Sequence, residues 1–393
     1  MSNKQKAVPQ IRFEGFTGAW EQRKLGEVTE FSKGSGYSKA DLTSQGTPII
    51  LYGRLYTKYE TEINDVDTFV HMRDNSVLSQ GGEVIVPSSG ETAEDISRAS
   101  VVTKAGVILG GDLNIVKPNT TIHPPFLAVT ISNGNQQKEL SRRAQGKSVV
   151  HISNSDLMDV LLRLPCLEEQ SSIGEFFRTF DTIITNQKRK LEGVKRLKKA
   201  YLQQMFPQVG ETTPKMRFSG FTDPWISVSL GAISNIKTGA SDVQDAVADG
   251  KYPFFVRSEK VERSNKYLFD GEAILVPGEG RLGDIYHYIN GKFDYHQRVY
   301  KISDFSSDAH CLFVLYAMQK TFKQHAMTFT VRATVDSLRL PMLTDFNILL
   351  PIIEEQMKIG AFFVHIDTQI TAQTQKLEQL SKLKAAYLQR MFI

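Results

Sequence analysis

The sequence predicts an α+β protein of two domains, each of mixed strands and short helices, separated by two long helices. The helices are expected to pair as an antiparallel coiled coil about a pseudo-two-fold axis. Three observations predict this: a helix-like stretch that occurs twice, a cap that occurs twice, and two unlike strand-rich segments between caps and helices.

The repeated stretch runs Leu164-Pro165, Glu168-Glu169-Gln170, Ile173-Gly174, Phe176-Phe177, Asp181-Thr182, Ile184, Lys190-Leu191-Glu192, then Lys198 to Phe206. It returns as Leu350-Pro351, Glu354-Glu355-Gln356, Ile359-Gly360, Phe362-Phe363, Asp367-Thr368, Ile370, Lys376-Leu377-Glu378, then Lys384 to Phe392, at a constant offset of 186 residues. Seam positions Phe180, Ile184, Gln187, Leu191, Val194, Lys198, Tyr201 and Met205 alternate steps of four and three. Ile366, Ile370, Gln373, Leu377, Leu380, Lys384, Tyr387 and Met391 repeat those steps. Such a heptad-like seam needs a partner helix, and a second in-frame copy supplies one. Leu197 and Leu383 are expected to widen the stripe, and Gln187 with Gln373 to fix its register. Counted from Asp181 to Phe206, the helix would be ~40 Å long.

The cap reads Arg12-Phe13-Glu14-Gly15-Phe16-Thr17 with Trp20 and Leu25-Gly26, and again Arg217-Phe218-Ser219-Gly220-Phe221-Thr222 with Trp225 and Leu230-Gly231. Its offset is 205, so the first variable segment carries 19 more residues than the second. Pro207, Gly210 and Pro214 stop the first helix. The expected boundaries are a first domain over 1–167, a helix over 168–210, a second domain over 211–353 and a second helix over 354–393.

Within the domains, Thr47–Arg54 parallels Tyr252–Ser258, and Gly82–Pro87 parallels Gly271–Pro277. These β-branched and aromatic runs between Gly, Pro and Asn clusters predict strands. Pro125–Ser132 and Ala309–Met318 predict a helix late in each segment. Each segment, of roughly 140 residues, is large enough for its own core.

With 393 residues, 41% hydrophobic and 23% charged, the composition is that of a globular protein. No apolar run reaches the ~20 residues of a membrane span, and Met1–Gln10 lacks a signal-peptide core. Cys166 and Cys311 are too few for a disulfide framework or zinc site, which fits a reducing cytoplasm. The net charge of +4 is uneven: seven Lys/Arg face two acids between Asp181 and Phe206, a solvated helix face or a contact for acidic protein or DNA.

Gly278-Glu279-Gly280-Arg281-Leu282-Gly283 spells the dinucleotide-binding glycine pattern. That fingerprint needs a helix starting at the glycines. Pro277 intervenes and Asp284–Gly291 reads as strand and turn, so a loop presenting Arg281 is expected. His123-Pro124-Pro125-Phe126 resembles the Asp/Asn-Pro-Pro-Tyr/Phe signature of amino-methyltransferases, with His123 replacing the amine-holding side chain. No glycine-rich cofactor loop accompanies it, and a helix N-terminus is expected instead. The eight histidines show no metal-ligand spacing, and no catalytic residues or metal site are expected. His287 and His296 are expected to flank a hairpin.

What remains is a set of basic, aromatic and hydroxyl side chains on loops. In the first half these are Lys33, Tyr37, Lys39, Tyr52, Arg54, Tyr56, Lys58, Ser88, Ser89, Arg98, Arg142, Arg143 and Lys147. In the second they are Lys237, Arg257, Lys260, Arg263, Arg281, Tyr286, His296, Arg298 and Arg332. On loops over rigid strands such groups suit phosphate positioning and the reading of base edges in double-stranded DNA.

The paired Leu-Pro…Glu-Gln…Ile…Phe-Phe…Asp-Thr-x-Ile helices around two dissimilar domains resemble the specificity subunit of a type I DNA restriction–modification system, over essentially the whole chain. The resemblance implies that each variable segment is a target recognition domain for one half of a split, asymmetric DNA site. It implies that the helices space the domains about one DNA turn apart, ~34–36 Å. It also implies docking of two methyltransferase subunits and of restriction/translocase subunits. S-adenosylmethionine, ATP and Mg are then expected on those partners and not on this chain, which would be non-catalytic, cytoplasmic and nucleoid-associated through DNA. Two other functions compete: a DNA methyltransferase or nuclease with its own active site, and a coiled-coil adaptor that never reads bases.

Overall fold

The computed structural model describes residues 8–146, 149–280, 282–329 and 337–392. The chain divides into two compact units. One takes the chain up to Arg189 and again from Gln375; the other is Lys190–Thr374. Each unit therefore holds one domain and one part of each long helix.

In the first unit a five-stranded sheet runs in the order Thr29–Lys33, Leu113–Pro118, Glu83–Pro87, Ser100–Val102, Glu62–Ile63. Its first four strands are antiparallel and its last is parallel to its neighbour. A four-stranded sheet orders Ile108–Leu109, Thr47–Ile50, Phe69–Val70 and Leu42–Thr43. Every residue of Glu83–Pro87 is buried, so both faces of that strand are covered. Val84 and Val86 enter a core with Phe126, Leu127 and Leu140, while Ile85 points to a second core with Ile115 and Leu113. This is the period-two alternation of a strand between two apolar layers.

The second unit has a six-stranded sheet ordered Asn235–Thr238, Val299–Ser303, Phe269–Pro277, His287–Tyr295, Tyr252–Phe255, Val261–Ser264. Here Ile274 and Val276 face the larger core, under the helix Cys311–Met327, and Ala273 with Leu275 face the smaller one. The predicted parallels hold: Thr47–Ile50 and Tyr252–Phe255 are strands, as are Glu83–Pro87 and Phe269–Pro277. The hairpin joins Phe269–Pro277 to His287–Tyr295. His287 and His296 therefore mark the two ends of one strand and do not flank the hairpin. His123 caps the helix Pro124–Ile131, the helix N-terminus expected of His-Pro-Pro-Phe.

In each unit the strand after the cap pairs antiparallel with the strand that feeds the long helix. These pairs are Glu21–Lys24 with Leu161–Leu164 and Ile226–Ser229 with Asn347–Leu350. Entry and exit of each domain thus lie side by side. Gly15 and Gly220 sit at φ of +91° and +92°, a conformation that explains the glycine at the same place in both caps.

The long helices are Leu167–Gln204 and Ile353–Met391. The first begins 14 residues before Asp181, so at ~1.5 Å per residue it is ~57 Å long, longer than the heptad seam alone gives. Glu168 and Glu169 sit in its first turn, where carboxylates complement the helix dipole. Inside the first unit, Phe176 and Phe180 lie 5.1 and 5.8 Å from Tyr387, and Phe177 lies 5.9 Å from Phe392. Inside the second, Tyr201 lies 5.0 Å from Phe362 and Phe206 lies 6.0 Å from Phe363. Early residues of one helix meet late residues of the other, which is antiparallel pairing. Phe180, Ile184, Gln187, Leu191 and Ile366 are buried, and Val194, Ile370, Gln373, Leu377 and Leu380 half-buried. Leu197 and Leu383 do not widen the stripe: they are 53% and 47% exposed. Each is one residue before a seam position, a turn of ~100° around the helix, which carries it out of the contact.

Candidate nucleic-acid interface

The repeated motif builds a rigid mount for each domain. Arg12 donates from Nε and Nη2 to the two carboxylate oxygens of Glu169, both at 2.6 Å. Arg217 does the same to Glu355 at 2.7 and 2.8 Å. Both glutamates are fully buried, and donating to the carboxylate raises the pKa of each arginine. The following glutamine locks the helix to its domain. Gln170 accepts from the His123 backbone N–H and donates to the Thr121 and Pro165 carbonyls. Gln356 repeats this with His310, Asp308 and Pro351.

The Asp-Thr motif ties the two helices to each domain. Asp181 accepts from Lys384 at 2.5 Å and from the Thr61 hydroxyl at 2.8 Å. Asp367 accepts from Lys198 at 2.7 Å and from the Tyr316 hydroxyl at 2.8 Å. The lysines that interrupt the apolar seam are thus partners of the repeated aspartates. Phe206 closes the second unit's core against Trp225 and Phe313, and Phe392 the first unit's against Trp20 and Phe126.

On this mount stand the loop side chains, and the structure sorts them. In the first unit Lys33 ends a strand and Lys39 lies in a short helical turn; both side chains are largely exposed, and partial desolvation of the Lys33 ammonium lowers its pKa. Tyr37 donates to or accepts from Ser76 at 2.5 Å, with the Arg73 guanidinium 4.5 Å above its ring. Tyr52 packs edge-on to Tyr56 at 6.0 Å. Ser89 meets His151 Nδ1 at 3.1 Å. Arg98 is half-buried, its guanidinium 5.7 Å over Tyr59. Arg142 is exposed at the end of the helix Gly134–Arg143, while Arg143 pairs with Glu139. Lys58 reaches Asp67 at 2.7 Å.

Several placements differ from the loop expectation: Lys33, Ser89, Lys237 and Arg263 stand in strands, Lys39 in a helical turn, Arg142 and Arg143 on a helix, and two further side chains of the first unit are buried. Arg54 lies in the helix Arg54–Thr57 and is buried, held by Glu60 and Asp67 at 2.7 and 2.8 Å and by the Asp65 carbonyl. Ser88 is buried as well. Neither can reach a ligand without rearrangement: Arg54 is held by its carboxylate partners, and Ser88 follows the wholly buried strand Glu83–Pro87.

In the second unit Lys237 is exposed in the strand Asn235–Thr238. Arg263 donates to the Gly250 and Lys251 carbonyls, and Lys260 pairs with Glu262. Tyr286 is half-buried, donates to the Met318 carbonyl, and has its pKa raised by burial. His296, expected at the surface, is 3% exposed. Its Nδ1 accepts the Arg298 N–H at 2.9 Å, which leaves the proton of the neutral ring on Nε2. Burial, then the charge of Arg257, lowers its pKa. His296 therefore positions the loop carrying Arg298. Arg257 and Arg298 are exposed and both pair with Glu279. Lys147, Arg281 and Arg332 lie outside the described residues.

Sequence reasoning missed Arg73 and Glu279. Arg73 stacks on Tyr37 and pairs with Asp41, which it reaches from a turn 32 residues away. Only the Asp-Asn cluster after Arg73 hints at that turn. Glu279 sits among glycines whose spacing points to Arg281 and not to the carboxylate. Among the described residues no group of His, Cys, Asp or Glu could hold a metal, and no helix is long and apolar enough to cross a membrane.

The family model described as type I restriction modification DNA specificity domain matches residues 18–196 and again 222–382. The specificity subunit of the type I restriction enzyme EcoDI from Escherichia coli is 30% identical over 166 residues, which span 42% of this chain and 36% of that subunit. The MjaVIII specificity subunit from Methanocaldococcus jannaschii is 22% identical over 93% of this chain and 90% of its own length. A crystal structure of the type I restriction–modification S subunit from M. genitalium shares the fold, with a TM-score of 0.71 at 15% identity over 98% of this chain and 99% of that one. Members of this group are DNA-recognition components without catalysis of their own. With two matched domains spanning most of its length, the chain belongs to the family of type I restriction–modification specificity subunits.

Proposed function

We propose that this chain reads a bipartite, asymmetric site in double-stranded DNA, one half per unit, and docks methyltransferase and restriction subunits that carry the chemistry. The observation behind this reading is one mount built twice around two unlike sets of loops. Arg-Glu, Gln-backbone and Asp-Lys contacts recur at matching positions, while the basic and aromatic side chains above them do not. Identical mounts with different faces are what two different half-sites require. Phosphate contacts supply salt-dependent affinity, and base-edge contacts supply specificity.

Arg257→Ala tests the assignment. Methylated adenines are mapped genome-wide in cells carrying the variant complex. The expected result is relaxed selection at one or two positions of a single half-site, with about 1–3 kcal/mol of discrimination lost. Equal loss at both halves, or unaltered sites, would contradict it. A four-residue deletion within Lys188–Lys199 tests the spacer role of the helix. It removes about 6 Å of helical rise. The expected outcome is an altered unread gap between unchanged half-sites, and an unaltered gap would refute it. Footprinting of the assembled complex that shows no sequence preference would favour an adaptor that never reads bases.

A further inference from the structure

Three loops of the second unit meet at Glu279. It follows the strand Phe269–Pro277; Arg257 follows Tyr252–Phe255; Arg298 lies just before Val299–Ser303. Arg257 Nη1 reaches one oxygen of Glu279 at 2.7 Å, and Arg298 Nη1 reaches the other. The guanidiniums are 46% and 57% exposed, the carboxylate 25%. Backbone contacts hold the loops in place. Gly278 donates to the Arg298 carbonyl at 2.8 Å, and a Cβ on Gly278 would lie 2.9 Å from that same oxygen. The His296 ring fixes the Arg298 N–H from the other side. A surface ion pair alone contributes little to stability. A carboxylate shared by two exposed arginines on braced loops does something else: it sets their direction and subtracts charge from the face.

We propose that Glu279 is a specificity-determining residue of the second unit, acting as a built-in competitor for the two arginines. This rests on the DNA-reading function proposed above. On a random-sequence duplex the arginines have only phosphate oxygens to gain, and Glu279 both occupies them and repels the backbone. On the proper half-site an arginine finds the paired acceptors of a guanine edge, O6 and N7, and bidentate bonds offset the loss of Glu279. The carboxylate therefore lowers non-specific binding more than specific binding. An arginine pair without it would bind any duplex more tightly and choose less well.

Glu279→Gln tests this, since the amide keeps the shape and removes the charge. The assembled complex is titrated across a salt series with two probes: a duplex bearing the site mapped from cellular methylation, and a random-sequence duplex of equal length. The variant is expected to bind the random duplex about 10-fold more tightly at low salt. Its log–log salt slope should steepen by about one for each phosphate newly contacted. The mapped site should gain less, so the specificity ratio falls. In an Arg257→Ala, Arg298→Ala background the same change should keep only the small gain from relieved backbone repulsion, and a gain as large as in the wild type would overturn the competition. Selective binding of the mapped site with random-duplex affinity and slope unmoved by Glu279→Gln overturns this inference alone. A wild-type complex that binds neither duplex overturns the DNA-reading proposal, and this one with it.

Discussion

Replacing Arg217 with alanine is expected to destabilise the second unit by about 3–5 kcal/mol, the usual consequence of leaving a buried charge without its partner. Glu355 is fully buried and takes both guanidinium bonds. Its loss of them leaves a carboxylate inside the start of the second long helix with no way to reach water. Arg217→Lys should recover only part of the loss, because an ammonium cannot reproduce the two parallel bonds. The mirror change in the first unit, Arg12→Ala, should act alike through Glu169. Hydrogen exchange resolved along the chain gives the readout. Protection should fall across the cap near 217 and the helix start near 355. A change below about 1 kcal/mol would mean that the pair behaves as an exposed one.

Phe206→Ala should be comparably severe. The ring is 4% exposed and packs against Trp225, Phe313 and Phe363 at 6.0, 5.3 and 6.0 Å. Truncating a core phenylalanine costs about 3–5 kcal/mol through lost burial and the cavity left behind. Leu197→Ala, nine residues earlier and within the helix Leu167–Gln204, should stay within about 0.5 kcal/mol because that side chain faces solvent. Urea unfolding of the two variants side by side distinguishes them. Equal losses would mean that the chain just past the helix end is not anchored in the domain core.

The scaffold was legible in the sequence because it is duplicated. A buried bidentate pair, a backbone-clamping glutamine and an aromatic plug each demand one residue type, and so each recurs unchanged at Glu169 and Glu355, Gln170 and Gln356, Phe206 and Phe392. Periodicity found the helix seam but overreached at Leu197 and Leu383, where apolar character does not imply contact. Its heptad steps start only near Asp181, since the first turns dock on a domain; the expected bounds of 168–210 begin within a residue of the helix and overrun its end at Gln204. The candidate reading face was less legible. Arg54 and His296 look like their exposed neighbours in composition, yet three-dimensional packing buries both. Glu279 and Arg73 matter through partners 19 to 36 residues away, and no local pattern encodes such meetings.

Two unlike reading faces on twin mounts are proposed to choose one split DNA site. The most direct test is a base-resolution map of methylated adenines in cells with and without this chain, the partner subunits being present in both. The expected result is a set of methylated sites found only with the chain, sharing two short unlike elements around a gap of fixed length. Methylation that persists without the chain, or a single continuous or palindromic motif, would contradict it.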